Sequence, residues 1–233
     1  MEFKAVVFDL FGTLVPPVRA PRFESTLEQM GVLVGVDPEF FKNQWMYDTW
    51  MDRATGVFAT TADNILHVCR EAGVDPSDEA LAEAVALRMA FAREVLEPRP
   101  DAVATLERIK NAGLGMALVS VCSAEVPQLW PETSFAPYFD TLVYSCVAGL
   151  MKPDPRLFEM ACDGLGVKLE ESAYVADGFK DELKGAAGVG MHAILIAPPG
   201  EAEYGLGHRG EAATWTGPRV EALSEVLGLL GIA

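Results

Sequence analysis

The sequence predicts an α/β fold: a Rossmann-like parallel sheet covered by helices, with an all-helical domain inserted after the first strand. Two observations carry this. Short apolar runs of strand length recur at Phe3–Phe8, Leu114–Val119, Leu142–Tyr144, Ala173–Ala176 and His192–Ile196, and helical patterns separate the later ones. Between residues 20 and 96 the strand-like runs stop, and Phe23–Met30, Pro38–Arg53, Ala62–Ala72 and Glu79–Val95 all read as helices.

Each element has a physical reason. Ala5-Val6-Val7-Phe8 and Met116-Ala117-Leu118-Val119 are apolar at every position, as strands covered by helices on both faces must be. The helical segment is bracketed by Pro16-Pro17 and by Pro98 and Pro100, whose fixed φ suits two stiff linkers between separate bodies. The expected division is therefore a core of residues 1–16 plus 98–233 and a cap of residues 17–97. The stretch Pro198–Gly210, rich in Gly, Pro and charge, reads as a mobile loop before a segment at Trp215 and a last helix over Pro218–Leu230. There is no internal repeat.

Composition narrows the function classes. Half of the 233 residues are apolar, enough for a sizeable core. With 18 Lys plus Arg against 34 Asp plus Glu, the formal charge of −16 repels nucleic acid and anionic membrane surfaces. No window reaches the roughly 18 consecutive apolar residues of a membrane span, and Phe3-Lys4-Ala5-Val6 follows the start without a signal-like pattern, so a cytoplasmic location is expected. Cys69, Cys122, Cys146 and Cys162 form no C-x-x-C pair, which argues for reduced thiols rather than a zinc or redox motif.

The crevice at the carboxyl ends of a parallel sheet is the default ligand site, so the polar residues there come first. The first strand runs into Asp9-Leu10-Phe11-Gly12-Thr13, the second into Ser120 and the fourth into Asp177-Gly178-Phe179-Lys180-Asp181-Glu182, while Lys152 precedes a helix near the same face. Each has a plainer reading. Asp9 before Gly12 suits a turn, Ser and Lys are ordinary at element ends, and Asp177 or Asp181 suits the cap of a helix over Asp181–Gly188.

With these four signals in order around a helical insert, nearly the whole chain resembles the haloacid dehalogenase (HAD) superfamily, in the subgroup with a helical cap. The resemblance implies Asp9 as a nucleophile that becomes an aspartyl-phosphate, with Lys152 neutralising both it and the transferring group. It implies phosphate contacts from Gly12, Thr13, Ser120 and Lys152. It further implies Mg2+ held by Asp9, Asp177 and the backbone carbonyl of Phe11, with Asp181 or Glu182 supporting the ion from outside its ligands. The implied partner is a small phosphate ester, bound by a monomer or a homodimer.

Two departures from the family pattern keep other functions open. Phe11 stands where phosphatases of the superfamily carry an acid/base Asp, a loss that typically costs ~10²–10⁴ in rate. Val121 replaces a frequent Asn beside Ser120. The 2-haloacid dehalogenases also have an aromatic residue at the Phe11 position, and Lys42 stands near their cap arginine. Their fourth motif, however, has Ser and Asn where this chain has Asp177 and Gly178, and their tyrosine after the lysine motif corresponds to Phe158. The readings are thus a Mg-dependent phosphatase, a dehalogenase-like hydrolase, or a weakly active or inactive phosphate- or effector-binding protein. Asp48 and Asp52 are candidate substitute acids. Trp45, Tyr47, Trp50 and Phe58 suit either an apolar pocket or the cap's own core, and Lys42 and Arg53 are possible anion contacts.

Overall fold

Among the described residues, six parallel strands form one sheet, in the order Thr141–Tyr144, Gly115–Ser120, Ala5–Phe8, Ser172–Ala176, His192–Ile196 and Arg219–Val220. The structure, a computed structural model, describes residues 3–201 and 210–232. The strands are β1 (Ala5–Phe8), β2 (Gly115–Ser120), β3 (Thr141–Tyr144), β4 (Ser172–Ala176), β5 (His192–Ile196) and β6 (Arg219–Val220). The chain lays strands to one side of β1 and then returns to build the other side, so neighbouring crossovers diverge at the β1/β4 junction and leave a crevice there. Register sets what reaches it. Phe8 pairs with Leu118 and with Val175, so Asp9 emerges level with the ends of both neighbouring strands.

Between β1 and β2 lie α1 (Ala20–Val34), α2 (Pro38–Asn43), α3 (Trp50–Ala54), α4 (Thr61–Glu71), α5 (Asp78–Val95) and α6 (Ala102–Asn111). Of these, α1, α2, α4 and α5 share a core that includes Leu27, Phe41, Ile65 and Phe91, joined by Trp45 from the segment after α2. The remaining helices are α7 (Glu125–Leu129), α8 (Ser145–Ala148), α9 (Pro155–Leu165), α10 (Glu182–Gly188), α11 (Gly210–Thr214) and α12 (Val226–Leu229). Alternate strand residues feed opposite faces of the sheet: Val6, Phe8, Leu118 and Val175 pack on one, and Val7, Ala117, Val119 and Tyr174 on the other. All four cysteines are free thiols.

Two expectations are corrected. Pro38–Arg53 is not one helix: after α2 the backbone widens to a π-helical turn over Gln44–Asp48, closed by a bond from Thr49 N to Gln44 O at 2.9 Å, before α3 begins. Fully buried Trp45, stacked on Phe41 at 5.8 Å, occupies this turn, and packing among the inserted helices overrides the regular 3.6-residue period. Nor is Pro218–Leu230 one helix. Arg219 and Val220 pair with Leu195 and Ile196 as an edge strand, leaving only a 3₁₀ turn over Leu223–Glu225 and the short α12. A two-residue strand carries no periodicity to read, and its pairing is a long-range choice. Of the loop expected at Pro198–Gly210, positions 202–209 lie outside the described residues.

Candidate active site

Asp9 leaves the end of β1 with its backbone N–H bonded to Val175 O at 3.0 Å, which ties it to β4. The loop behind it turns through Gly12 at φ 83°, a left-handed conformation that favours glycine. That turn returns Thr13, whose hydroxyl donates to Asp9 Oδ2 at 2.9 Å. Arg99, absent from the sequence-based candidates, fixes the same loop from behind. It donates to Thr13 O at 2.7 Å and Gly12 O at 2.8 Å, and its other contacts reach both Glu201 oxygens.

Lys152 Nζ lies 2.5 Å from Asp9 Oδ1 and 2.5 Å from Glu182 Oε2, all three residues buried. It also donates to Val119 O at 3.2 Å and to Tyr174 Oη at 3.1 Å, while the Tyr174 hydroxyl donates to Glu182 at 2.7 Å. Burial alone would depress the ammonium, but Asp9 and Glu182 together hold it above its ordinary value. Tyr174 therefore puts a phenol hydroxyl beside the lysine. Phe158, at the position the dehalogenases give to tyrosine, packs against the Tyr174 ring at 5.1 Å. A lone Tyr amid the small residues of β4 was the available signal, unread because the strand pattern alone makes it core.

Asp177 follows β4 and is 5% exposed, and its carboxylate accepts from Phe179 N at 3.2 Å. Oxygens of Asp9, Asp177 and Glu182 all lie within 4.8 Å of one another. Asp9 is pushed up from 3.8 to about 6, chiefly by burial, against the pull of Lys152 and with a further push from Glu182. Three buried carboxylates thus lie together, two of them paired with the Lys152 ammonium, and this all-oxygen donor set fits a hard divalent cation such as Mg2+. Ser120 Oγ, at the end of β2, is buried and makes no hydrogen bond of good geometry among the described residues.

The structure thus brings Asp9, Gly12, Thr13, Ser120, Lys152, Asp177 and Glu182 to one end of the sheet, but not the Asp181 carboxylate, which is exposed and pairs with Lys184 at 2.7 Å. Asp181 does not cap α10 through its side chain either. Glu211 accepts from Leu183 N and Lys184 N at 2.9 and 2.7 Å and satisfies that helix end instead, a long-range cap that no local motif announces.

Above Asp9 opens a cavity of about 550 Å³ bounded by both the core and the helices inserted after β1. Phe11, Tyr47, Trp50, Arg53, Val121 and Phe179 all line it. Lys180 Nζ reaches across to 3.7 Å from the Trp50 ring centroid, a cation–π contact between the loop after β4 and α3. Trp45 belongs to the core of the inserted helices, and Phe58 pairs with His67 at 5.2 Å, so the aromatic residues of this segment divide between pocket and packing. Lys42 pairs with Glu28 at 2.7 Å, and Asp48 accepts from Gln44 at 2.7 Å; neither they nor Asp52 line the cavity. Glu24 and Glu125 are the carboxylates on its walls away from the Asp9 cluster.

The model of the haloacid dehalogenase-like hydrolase family matches residues 3–190. A glyceraldehyde 3-phosphate phosphatase of Methanopyrus kandleri is 26% identical over 197 residues, 83% of each chain. The (S)-2-haloacid dehalogenase 4A of Burkholderia cepacia is 34% identical over 113 residues, 47% of each. The crystal structure of a HAD phosphatase from Thermococcus onnurineus superposes with a TM-score of 0.66 at 22% identity, covering 99% of each chain, a likeness of fold.

Proposed function

Since the chain belongs to the haloacid dehalogenase-like hydrolases, we propose that it is a cytoplasmic, Mg-dependent phosphatase that hydrolyses a small phosphomonoester through an aspartyl-phosphate at Asp9. The carrying observation is the clustering of Asp9, Asp177 and Glu182 oxygens within 4.8 Å of one another, with Asp9 and Glu182 both paired to Lys152. Without a further cation, Asp9 at about 6 is a partly protonated, weakened nucleophile at slightly acid pH. Asp9, Asp177 and the Phe11 carbonyl would hold Mg2+, which when bound supplies charge neutralisation for the transferring phosphoryl group.

The chain's own residues do the rest. Thr13 fixes one oxygen of Asp9 and Lys152 the other, so the carboxylate is oriented before attack. The oxygens of the transferring group are met by Lys152, Ser120 and the Gly12–Thr13 loop, while Tyr174 and Glu182 hold the ammonium in place. Residues 17–97 act as the cap that closes the cavity and excludes water. Phe11 brings no proton to the leaving group, so turnover favours esters whose leaving group departs as an anion.

The relatedness to a haloacid dehalogenase and the aromatic residue at 11 favour a second reading, displacement of halide from carbon by the same Asp9. Phosphate release from a panel of phosphomonoesters, including aryl phosphates, with Mg2+ or chelator separates the two. Mg-dependent release that Asp9→Asn abolishes, in a variant that still folds, is the expected result. Halide release from 2-haloacids with no phosphate from any ester would replace this reading by the second, and neither product would leave a binding protein.

A further inference from the structure

Two thiols meet where β2 and β3 end. The strands run parallel with Ser120 paired to Tyr144, so the chain leaves both at the same level, and Cys122 and Cys146 stand two residues beyond that pair. Their Sγ atoms are 3.9 Å apart. Ser145 ties the two stretches together: its hydroxyl accepts from Cys122 N at 2.9 Å and donates to Cys122 O at 3.2 Å. From this contact, side-chain rotation and a slight backbone shift reach the disulfide separation of about 2.05 Å.

The surroundings of the pair link it to the site. Val121, Cys122 and Ser123 line the cavity above Asp9, and Ser120 ends β2 just before them. Cys146, on α8, is braced from the other side, since Gly56 after α3 approaches so closely that a Cβ there would strike the Cys146 carbonyl. The stretch that yields when the sulfurs draw together is therefore the one that lines the cavity.

The two sulfurs also differ in access and acidity. Cys122 is 6% exposed, whereas Cys146 is half-buried. The hydrogen bond with Cys122 holds the Cys146 thiol below its ordinary value, against burial and the charge of Glu125; burial, with that same contact adding to it, pushes Cys122 well up. The more reachable sulfur ionises first, and the one behind it keeps its proton. Cys69 and Cys162 are buried in other parts of the core.

We propose that Cys122 and Cys146 form a redox site, in which hydrogen peroxide joins the two sulfurs in a disulfide that shuts the cavity at Asp9 and a dithiol reopens it. The Cys146 thiolate attacks one peroxide oxygen, the O–O bond breaks, and Cys146 becomes a sulfenic acid while hydroxide leaves with the proton that Cys146 had lost, as water. The Cys122 sulfur then attacks the Cys146 sulfur, the S–O bond breaks, and the second hydroxide takes the Cys122 proton. Two thiols have lost two electrons, and one peroxide has become two waters. A displacement of about 1 Å near a reacting group costs up to about a hundredfold in rate.

The test treats the reduced full-length protein with hydrogen peroxide and takes two readings. Alkylation in denaturant should find the four thiols reduced to two, the peptide carrying Cys122 and Cys146 should be lighter by two hydrogens, and dithiothreitol should reverse both changes. Mg-dependent hydrolysis of an aryl phosphate should fall at least about tenfold over the same time course and return with dithiothreitol. Cys146→Ser should begin with unaltered turnover and keep it through the treatment.

The activity reading rests on the phosphatase reading of Asp9, and the thiol reading does not. Four thiols that survive peroxide, or a bond between any other pair, overturn the proposal. So do a Cys122–Cys146 bond under which turnover is unchanged and a loss of turnover that persists in Cys146→Ser. Where the reduced protein hydrolyses no ester, the phosphatase reading falls by itself, and the reversible bond alone decides whether the redox site exists.

Discussion

Replacing Asp9 by Asn tests the charge balance of the site through stability rather than activity. In chelator, folding raises the Asp9 pKa from 3.8 to about 6 because burial and Glu182 outweigh Lys152. At about 1.4 kcal/mol for each tenfold change, ionising Asp9 in the folded protein costs about 3 kcal/mol relative to the unfolded chain. The sign follows from the raised pKa: the folded state binds more protons, so this contribution is full below 3.8 and is lost as pH rises through about 6. Asn has the same shape and no charge, and Lys152 keeps Glu182 and Tyr174 as partners. Urea unfolding in EDTA should find Asp9→Asn as stable as the unaltered protein at pH 4 and up to about 3 kcal/mol more stable at pH 8. Mg2+ should narrow the gap at pH 8 by stabilising only the protein that retains Asp9. A variant no more stable at pH 8, with no pH dependence of the difference, would refute the account of Asp9 and Glu182 sharing one buried ammonium.

The other predictions concern the residues around this centre. Tyr174→Phe removes the hydroxyl between Lys152 and Glu182 and should lower stability by about 1–3 kcal/mol, read by denaturant midpoint, with a fall in kcat. Arg99→Gln frees the Gly12 and Thr13 carbonyls and the Glu201 contact; a loss of about 2–4 kcal/mol and a raised KM for phosphate esters are expected from melting and steady-state kinetics. Phe11→Asp should raise turnover of alkyl phosphates by ~10²–10⁴ while changing that of good-leaving-group aryl phosphates far less, a contrast that parallel rate measurements would expose.

The core strands were legible because their sequence signal is local: a strand buried on both faces has to be apolar throughout, and β5 falls at the residues its pattern predicts. The helices α1, α4 and α5 were legible from local periodicity as well, whereas the π-helical turn that buries Trp45 and the helix α6 were not read from the sequence. Asp9, Thr13, Lys152 and Asp177 each have a plainer reading alone, and could be singled out because they occur together, in order, where strands of one parallel sheet end.

Other features depended on partners distant in sequence. Whether Asp181 or Glu182 faced the cluster turned on a loop with positive φ at Lys180 and Asp181, which sends one carboxylate to solvent and the next into the core. Arg99 clamps a loop 87 residues before it, Glu211 caps a helix from 28 residues after it, and Arg88 meets Glu125 across the boundary between the inserted helices and the sheet. Propensity and periodicity act over a few residues, so the order of residues along the chain was enough to place most of the elements and the polar groups at their ends. Which charges share a buried space followed from the packing, because in a low-dielectric interior that outcome belongs to pairs and triads of side chains rather than to any one of them.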